Sequence, residues 1–168
     1  MKNHEINLES LSQAIDSLED HELFALKVRM DAEMAKRGIS YNVGDMGEKL
    51  VIDYFNKTKE LPKLYKSDVG VKNVDANSRD GDRYSIKTYL KAKKTGTIYP
   101  DKDQNKQLFE YLLIVHLSSL FELQAIYRYS WKNFQSVKAW DKRMNAWYVP
   151  LSRKNLEKAE IILGDLSK

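Results

Sequence analysis

Asp75, Ser85 and Lys87 stand in a D-x9-S-x-K spacing inside the stretch VKNVDANSRDGDRYSIKTYL, residues 71–90. The Asp80-Gly81 pair between two alternating runs predicts a β-hairpin. One strand is expected to end at Asp75, the turn to use Arg79-Asp80-Gly81-Asp82, and the second strand to carry Ser85-Ile86-Lys87. Strand residues i and i+2 share a face, so Ser85 and Lys87 point together while Ile86 turns into the core. Asp75 lies opposite that pair across the hairpin. A carboxylate, an ammonium and the backbone carbonyl of Ile86 therefore aim at one spot. Phosphodiester hydrolysis uses such a set: a hard divalent cation, Mg²⁺ by preference or Mn²⁺, binds oxygen ligands and neutralises phosphate charge. A nearby lysine can orient or deprotonate the attacking water, or stabilise the pentavalent oxyanion. The competing account is structural: Asp75 and Lys87 would form a cross-strand ion pair contributing little.

Several elements must position this hairpin. Gly44 to Phe55 (GDMGEKLVIDYF) reads as a helix whose apolar face is Gly47, Leu50, Val51 and Tyr54. The small Gly47 permits close approach to a sheet. Glu48 sits beside that face, either solvated or pointing along the seam toward the sheet edge. Lys63–Lys66 is a short strand after Pro62, and Phe109–Leu117 (FEYLLIVHL) is nearly continuous apolar sequence, which fits a central strand buried on both faces. Phe121–Tyr129 alternates and is its expected neighbour. Thr95-Gly96 opens a polar, mobile stretch to Lys106. Ser130 is an N-cap for a short helix, a strand covers Ala146–Val149, and a final helix runs from about Ser152 to Ile161. At the other end, Leu8, Leu11, Ile15 and Leu18 mark one helix. A second starts at an Asp20 N-cap, runs through Leu23, Leu26, Met30 and Met34, and stops at Gly38.

The hairpin resembles the PD-(D/E)XK nuclease superfamily. The likeness rests on Val74-Asp75-Ala76, the Asp80-Gly81 turn, Tyr84-Ser85-Ile86-Lys87 and the apolar strand Tyr111–Leu117, with the helix Gly44–Phe55 similar to the first core helix of that fold. It covers roughly residues 41–129. The resemblance implies an α/β fold: a restriction-endonuclease-like mixed sheet flanked by helices, here with an N-terminal helical hairpin over residues 1–40 and the main domain over 41–168. It also implies a Mg²⁺-dependent DNA endonuclease of restriction or defence type, with catalytic Asp75, Lys87, Glu48 and Ser85 and a metal held by Asp75, Glu48 and the Ile86 carbonyl. Two departures stand out. Asn73-Val74 replaces the proline of the family's name, and Ser85 takes the place of its second acid. Glu48 is the best substitute carboxylate, with Asp82 or Asp68 behind it. A catalytically weak or inactive nucleic-acid-binding module of the same fold is the alternative.

Charge points the same way. The 168 residues carry 28 Lys+Arg against 24 Asp+Glu, but the excess is uneven. Residues 1–40 hold five basic and eight acidic side chains, whereas residues 83–106 hold seven basic and two acidic ones. A localised basic patch suits a polyanion such as nucleic acid, which the resemblance makes double-stranded DNA, or is simply a solvated lysine-rich loop. Lys91, Lys93 and Lys94 are the expected phosphate contacts, and cutting both strands implies a homodimer. Lys138, Lys142 and Arg143 either extend that surface or form a solvated face. Tyr127, Tyr129, Trp131, Trp140, Trp147 and Tyr148 are expected to pack the C-terminal elements rather than stack on bases. His116 reads as a hydrogen-bonded strand-end residue, and His4 and His21 as isolated surface histidines. Cysteine is absent, which excludes disulfides and thiolate metal sites. With 42% hydrophobic residues, no apolar run near the ~20 needed to span a bilayer and no secretory signal, a cytoplasmic protein is expected.

Overall fold

The computed structural model describes residues 7–68, 70–104 and 106–166. Its contacts gather into two compact units, Met1–Ser40 and Tyr41–Lys168. His4 lies outside the described residues.

The first unit contains helices α1 (Leu8–Asp16) and α2 (Asp20–Lys36). The N-cap of α2 is Glu19 rather than the expected Asp20: the Glu19 and Glu22 side chains each accept from the other's backbone N–H, a reciprocal capping box. Gly38, at φ +63, ends the helix as expected, with the Ile39 N–H donating to the Met34 carbonyl and that of Gly38 to the Ala35 carbonyl. Neither helix buries a residue.

The second unit is an α/β structure around a six-stranded mixed sheet. The order is β1 (Leu64–Lys66), β2 (Ala76–Ser78), β3 (Arg83–Tyr89), β4 (Tyr111–Leu117), β5 (Leu123–Ser130) and β8 (Glu160–Leu163). All neighbours are antiparallel except β3 and β4, which run parallel with Ser85 opposite Leu112 and Lys87 opposite Ile114. Strand β4 is central and buried on both faces, as its apolar run predicts. Leu113 and Val115 join Val51, Phe55, Tyr84 and Ile86 under helix α3 (Val43–Lys57). Leu112 and Ile114 join Phe109, Tyr127, Tyr129, Phe134 and Trp147 on the opposite face, where helix α4 (Trp131–Val137) packs. A separate two-stranded ribbon pairs β6 (Ala139–Asp141) with β7 (Ala146–Tyr148). Among the described residues no helix is long and apolar enough to cross a membrane.

Three expectations need correcting. The first hairpin strand covers Ala76–Ser78 instead of ending at Asp75, because pairing continues right up to the expected turn: the Ser78 N–H donates to the Asp82 carbonyl and the Gly81 N–H to the Ser78 carbonyl. The final helix is a single turn, α5 (Arg153–Leu156), and the β-branched Ile161-Ile162 pair extends instead as β8 on the free edge of β5. The stretch around Gly96 is anchored at its start rather than loose. Thr95 and Ile98 are buried, Ile98 and Trp147 exchange backbone hydrogen bonds, and the Leu151 N–H donates to the Lys93 carbonyl.

Candidate metal and phosphate site at the open end of the hairpin

Strand β2 pairs with β3 only at Ala76–Tyr84 and Asn77–Arg83, so Ser85 to Tyr89 extend past its end. The Asp75 N–H donates to the Tyr84 carbonyl at 2.8 Å, which fixes the side of β3 that even-numbered residues turn toward β2. By the alternation of a strand, the N–H and C=O of Ile86 leave on that same uncovered edge.

The Asp75 side chain fills the place where a strand residue would pair. Its Oδ2 accepts from the Ile86 N–H at 2.6 Å and from the Ser85 hydroxyl at 3.3 Å, and lies 3.7 Å from Lys87 Nζ. All three contacts converge on Oδ2 and leave the Oδ1 lone pairs facing away from them. Ser85 is fully buried. It meets Asp75 from inside the core and not from the surface. Lys87 retains 21% side-chain exposure and Asp75 22%, so both reach solvent from a supported position.

Glu48 comes from the other face of the sheet. Gly47 lies so close to Thr88 that an added Cβ would sit 2.0 Å from Thr88 Oγ1. That approach lays the first turns of α3 directly on β3, and Asn42 caps the helix by accepting from the Asp45 N–H. Glu48 is the next residue and is half-buried, with its carboxylate 3.6 Å from Lys66 Nζ. Burial, and then the negative charge of Asp75, push its carboxyl above the usual value of 4.5, against a smaller opposing effect of Lys66. The two carboxylates therefore feel each other at the end of β2.

Their chemistry fits a hard cation. Two carboxylates and the backbone carbonyl of buried Ile86 are all oxygen donors, and a divalent ion would relieve the repulsion that adds to burial in raising Glu48. Among the described residues no group of three or more His, Asp or Glu side chains gathers to hold a metal. Mg²⁺ does not need one, since it is usually held by one or two carboxylates together with substrate phosphate and water.

The other expected groups separate. Asp82 sits in the turn at the far end of the hairpin from Asp75. Asp68 follows β1, where its carbonyl accepts from the Val71 N–H. Lys91 and Lys93 are exposed, whereas Lys94 is held 2.8 Å from Asp141 and lies over the Tyr148 ring. Lys138 is spent over the Trp147 ring at 3.5 Å, and burial pushes its ammonium below the ordinary value. His116 stacks on Tyr89, with ring centroids 4.6 Å apart. Tyr127, Tyr129 and Trp147 are buried, as expected of packing aromatics, but Trp140 is 39% exposed. Lys66 was not singled out by sequence. Its signal is the alternation of β1, which puts it on the buried Leu64 face that α3 covers. No family profile and no curated protein matches this chain.

Proposed function

We propose that this chain is a metal-dependent endonuclease hydrolysing DNA phosphodiester bonds, of restriction or defence type, on a restriction-endonuclease-like fold. One observation carries it: Asp75 and Lys87 meet at 3.7 Å where β3 runs past the end of β2, and the half-buried Glu48 carboxylate feels the charge of Asp75. Mg²⁺ or Mn²⁺ bound there would neutralise the scissile phosphate and acidify a water. Asp75 and Glu48 would hold the ion, with the Ile86 carbonyl as a neutral third donor. Lys87 stands where it can orient the attacking water or stabilise charge on the pentavalent phosphorus. Ser85 keeps Asp75 in its rotamer, and exposed Lys91 and Lys93 contact phosphates further along the backbone. Cleavage of both strands of a duplex requires two such sites, hence a homodimer on DNA.

A second reading has its own support. Asp75 Oδ2 already serves three partners and Glu48 is held by Lys66, which suits a catalytically weak or inactive nucleic-acid-binding module of the same fold.

Incubation of the purified protein with plasmid and with RNA, in Mg²⁺, Mn²⁺ or EDTA, beside Asp75→Ala and Lys87→Ala, separates the two. Metal-dependent cleavage lost in both variants is the expected result. Binding without cleavage would leave only the module, and neither binding nor cleavage would end both.

A further inference from the structure

Beside Lys87 opens a cleft of about 640 Å³, within the size range of small-ligand pockets. Its wall includes Lys72, Lys87, Lys102, Asn73, Tyr99 and Trp140. Both aromatic side chains are substantially exposed, Tyr99 at 45% and Trp140 at 39%. Exposed rings in a concave wall leave apolar surface in water that packing elsewhere could have covered.

The Trp140 ring and the Tyr99 backbone are both anchored. Trp140 pairs with Trp147 across the β6–β7 ribbon, and the two indoles meet edge to face at 6.2 Å. Tyr99 follows Ile98, whose two backbone hydrogen bonds with Trp147 join this segment to the same strand. The Asn73 side chain, at a residue with φ +59, donates to the Tyr99 carbonyl at 2.9 Å and ties the other end to the hairpin. Rigid, half-exposed aromatic surface costs little entropy to use in binding. The wall is also positively charged: against three lysines it has one acidic residue, Asp101, which is paired with Lys106 at 3.0 Å.

We propose that this cleft binds an unpaired nucleotide, its base stacked on Tyr99 or Trp140 and its phosphates on Lys72 and Lys102, so that the preferred ligand is single-stranded or locally opened nucleic acid. In a duplex, base faces are already stacked on one another and only edges and phosphates are presented, so ring faces inside a cleft have nothing to meet. An unpaired base offers a π-face whatever its identity. Because Lys87 belongs to both the cleft and the Asp75 site, the inference deepens the nuclease proposal and rests on it for the role of the bound strand. The site would then cut at or beside an unpaired nucleotide.

The test uses binding alone, in EDTA, so that it does not depend on catalysis. Fluorescence anisotropy is measured with labelled oligothymidylate, oligouridylate and a mixed-sequence duplex at one salt concentration. Tighter binding of a single strand than of the duplex is expected, and the two homopolymers report which sugar is preferred. At least one of Tyr99→Ala and Trp140→Ala should weaken single-strand binding about ten-fold and leave duplex binding unchanged, with the matching Phe variant retaining it. Crosslinking of the unaltered protein to an iodouracil-containing strand, mapped by mass spectrometry, should mark Tyr99 or Trp140, and it needs no variant to fold. Equal binding of duplex and single strands, folded alanine variants that bind like the parent, or crosslinks on another surface would overturn the inference. Single-strand binding without metal-dependent cleavage would sink the nuclease and keep the cleft. Cleavage indifferent to both rings would do the reverse.

Discussion

Strand β3 carries a basic residue near each end, and their surroundings differ. At its start, Arg83 holds Glu110 through Nη2–Oε1 at 2.9 Å and Nε–Oε2 at 3.1 Å, while the Arg83 backbone N–H and Gln107 Nε2 add further donors. Each partner stabilises the other's charged form: the guanidinium holds the Glu110 carboxyl below its usual range, and Glu110 raises Arg83. Four residues later, Lys87 stands 3.7 Å from Asp75, and the neighbouring Glu48 is pushed the opposite way, upward, by burial and by Asp75. The first pair is electrostatically satisfied. The second end has two carboxylates that repel, each with only a longer lysine contact, and a strand edge met by the Asp75 side chain instead of a strand. Structural ion pairs look like the first, and sites awaiting a cation or substrate look like the second.

The largest effect expected from this difference is on catalysis. Lys87→Ala or Asp75→Asn should lower metal-dependent cleavage by on the order of a hundred-fold or more in single-turnover assays, whereas Glu110→Ala should leave the cleavage rate near the parent value. Equal losses at both ends of β3 would erase the distinction.

Next in size is Gly47→Ala. The added methyl has no room against Thr88, so overpacking of about 1–3 kcal/mol is expected in denaturant unfolding, together with lost cleavage as Glu48 is displaced. Unchanged stability would mean that α3 does not sit tightly on β3.

Glu110→Ala should cost about 1–2 kcal/mol by the same unfolding measurement, since several charge-assisted hydrogen bonds go but the pair is part-exposed. The Asp75–Lys87 contact is longer, and Lys87→Ala should cost less than that.

The smallest effect separates the two ends by sign. The folded-state pKa of Glu48 is raised, so the folded protein holds its proton more tightly than the unfolded chain does. The resulting penalty is absent below the unfolded value of 4.5 and grows as pH rises through the folded value. Glu48→Gln should therefore be neutral or stabilising in thermal unfolding at pH 7, with the difference vanishing below pH 4.5. Glu110 has a lowered pKa, so its contribution is present at pH 7 and fades as pH falls through the folded value. A Glu48→Gln variant clearly less stable than the parent at pH 7 would contradict this assignment.

How much of this was readable in the sequence follows from how local each determinant is. The Asp80-Gly81 turn and the alternation around Ile86 lie within a few residues, and they identify the β2–β3 hairpin although not its starting residue. The run Leu112–Val115 similarly announces a strand covered on both sides. Strand β8 was missed because Glu160–Leu163 is only four residues long and extends to pair with β5, more than thirty residues earlier. The polar look of residues 95–106 concealed Ile98, whose hydrogen bonds to Trp147 span 49 residues. The same distance effect hid the ion-pair partner of Lys94, since Asp141 lies 47 residues away. Trp140 read as core packing, because nothing local shows that the ribbon turns it toward a cleft.

The claim on which everything else depends is that the Lys87 end of β3 holds a divalent cation and the Arg83 end does not. Titration with Mn²⁺, following the free ion by electron paramagnetic resonance, tests it without any nucleic acid. The account predicts saturable binding that is lost in Asp75→Ala, weakened in Glu48→Gln and unchanged in Glu110→Ala. The same weak, non-saturating uptake by all four proteins would contradict it.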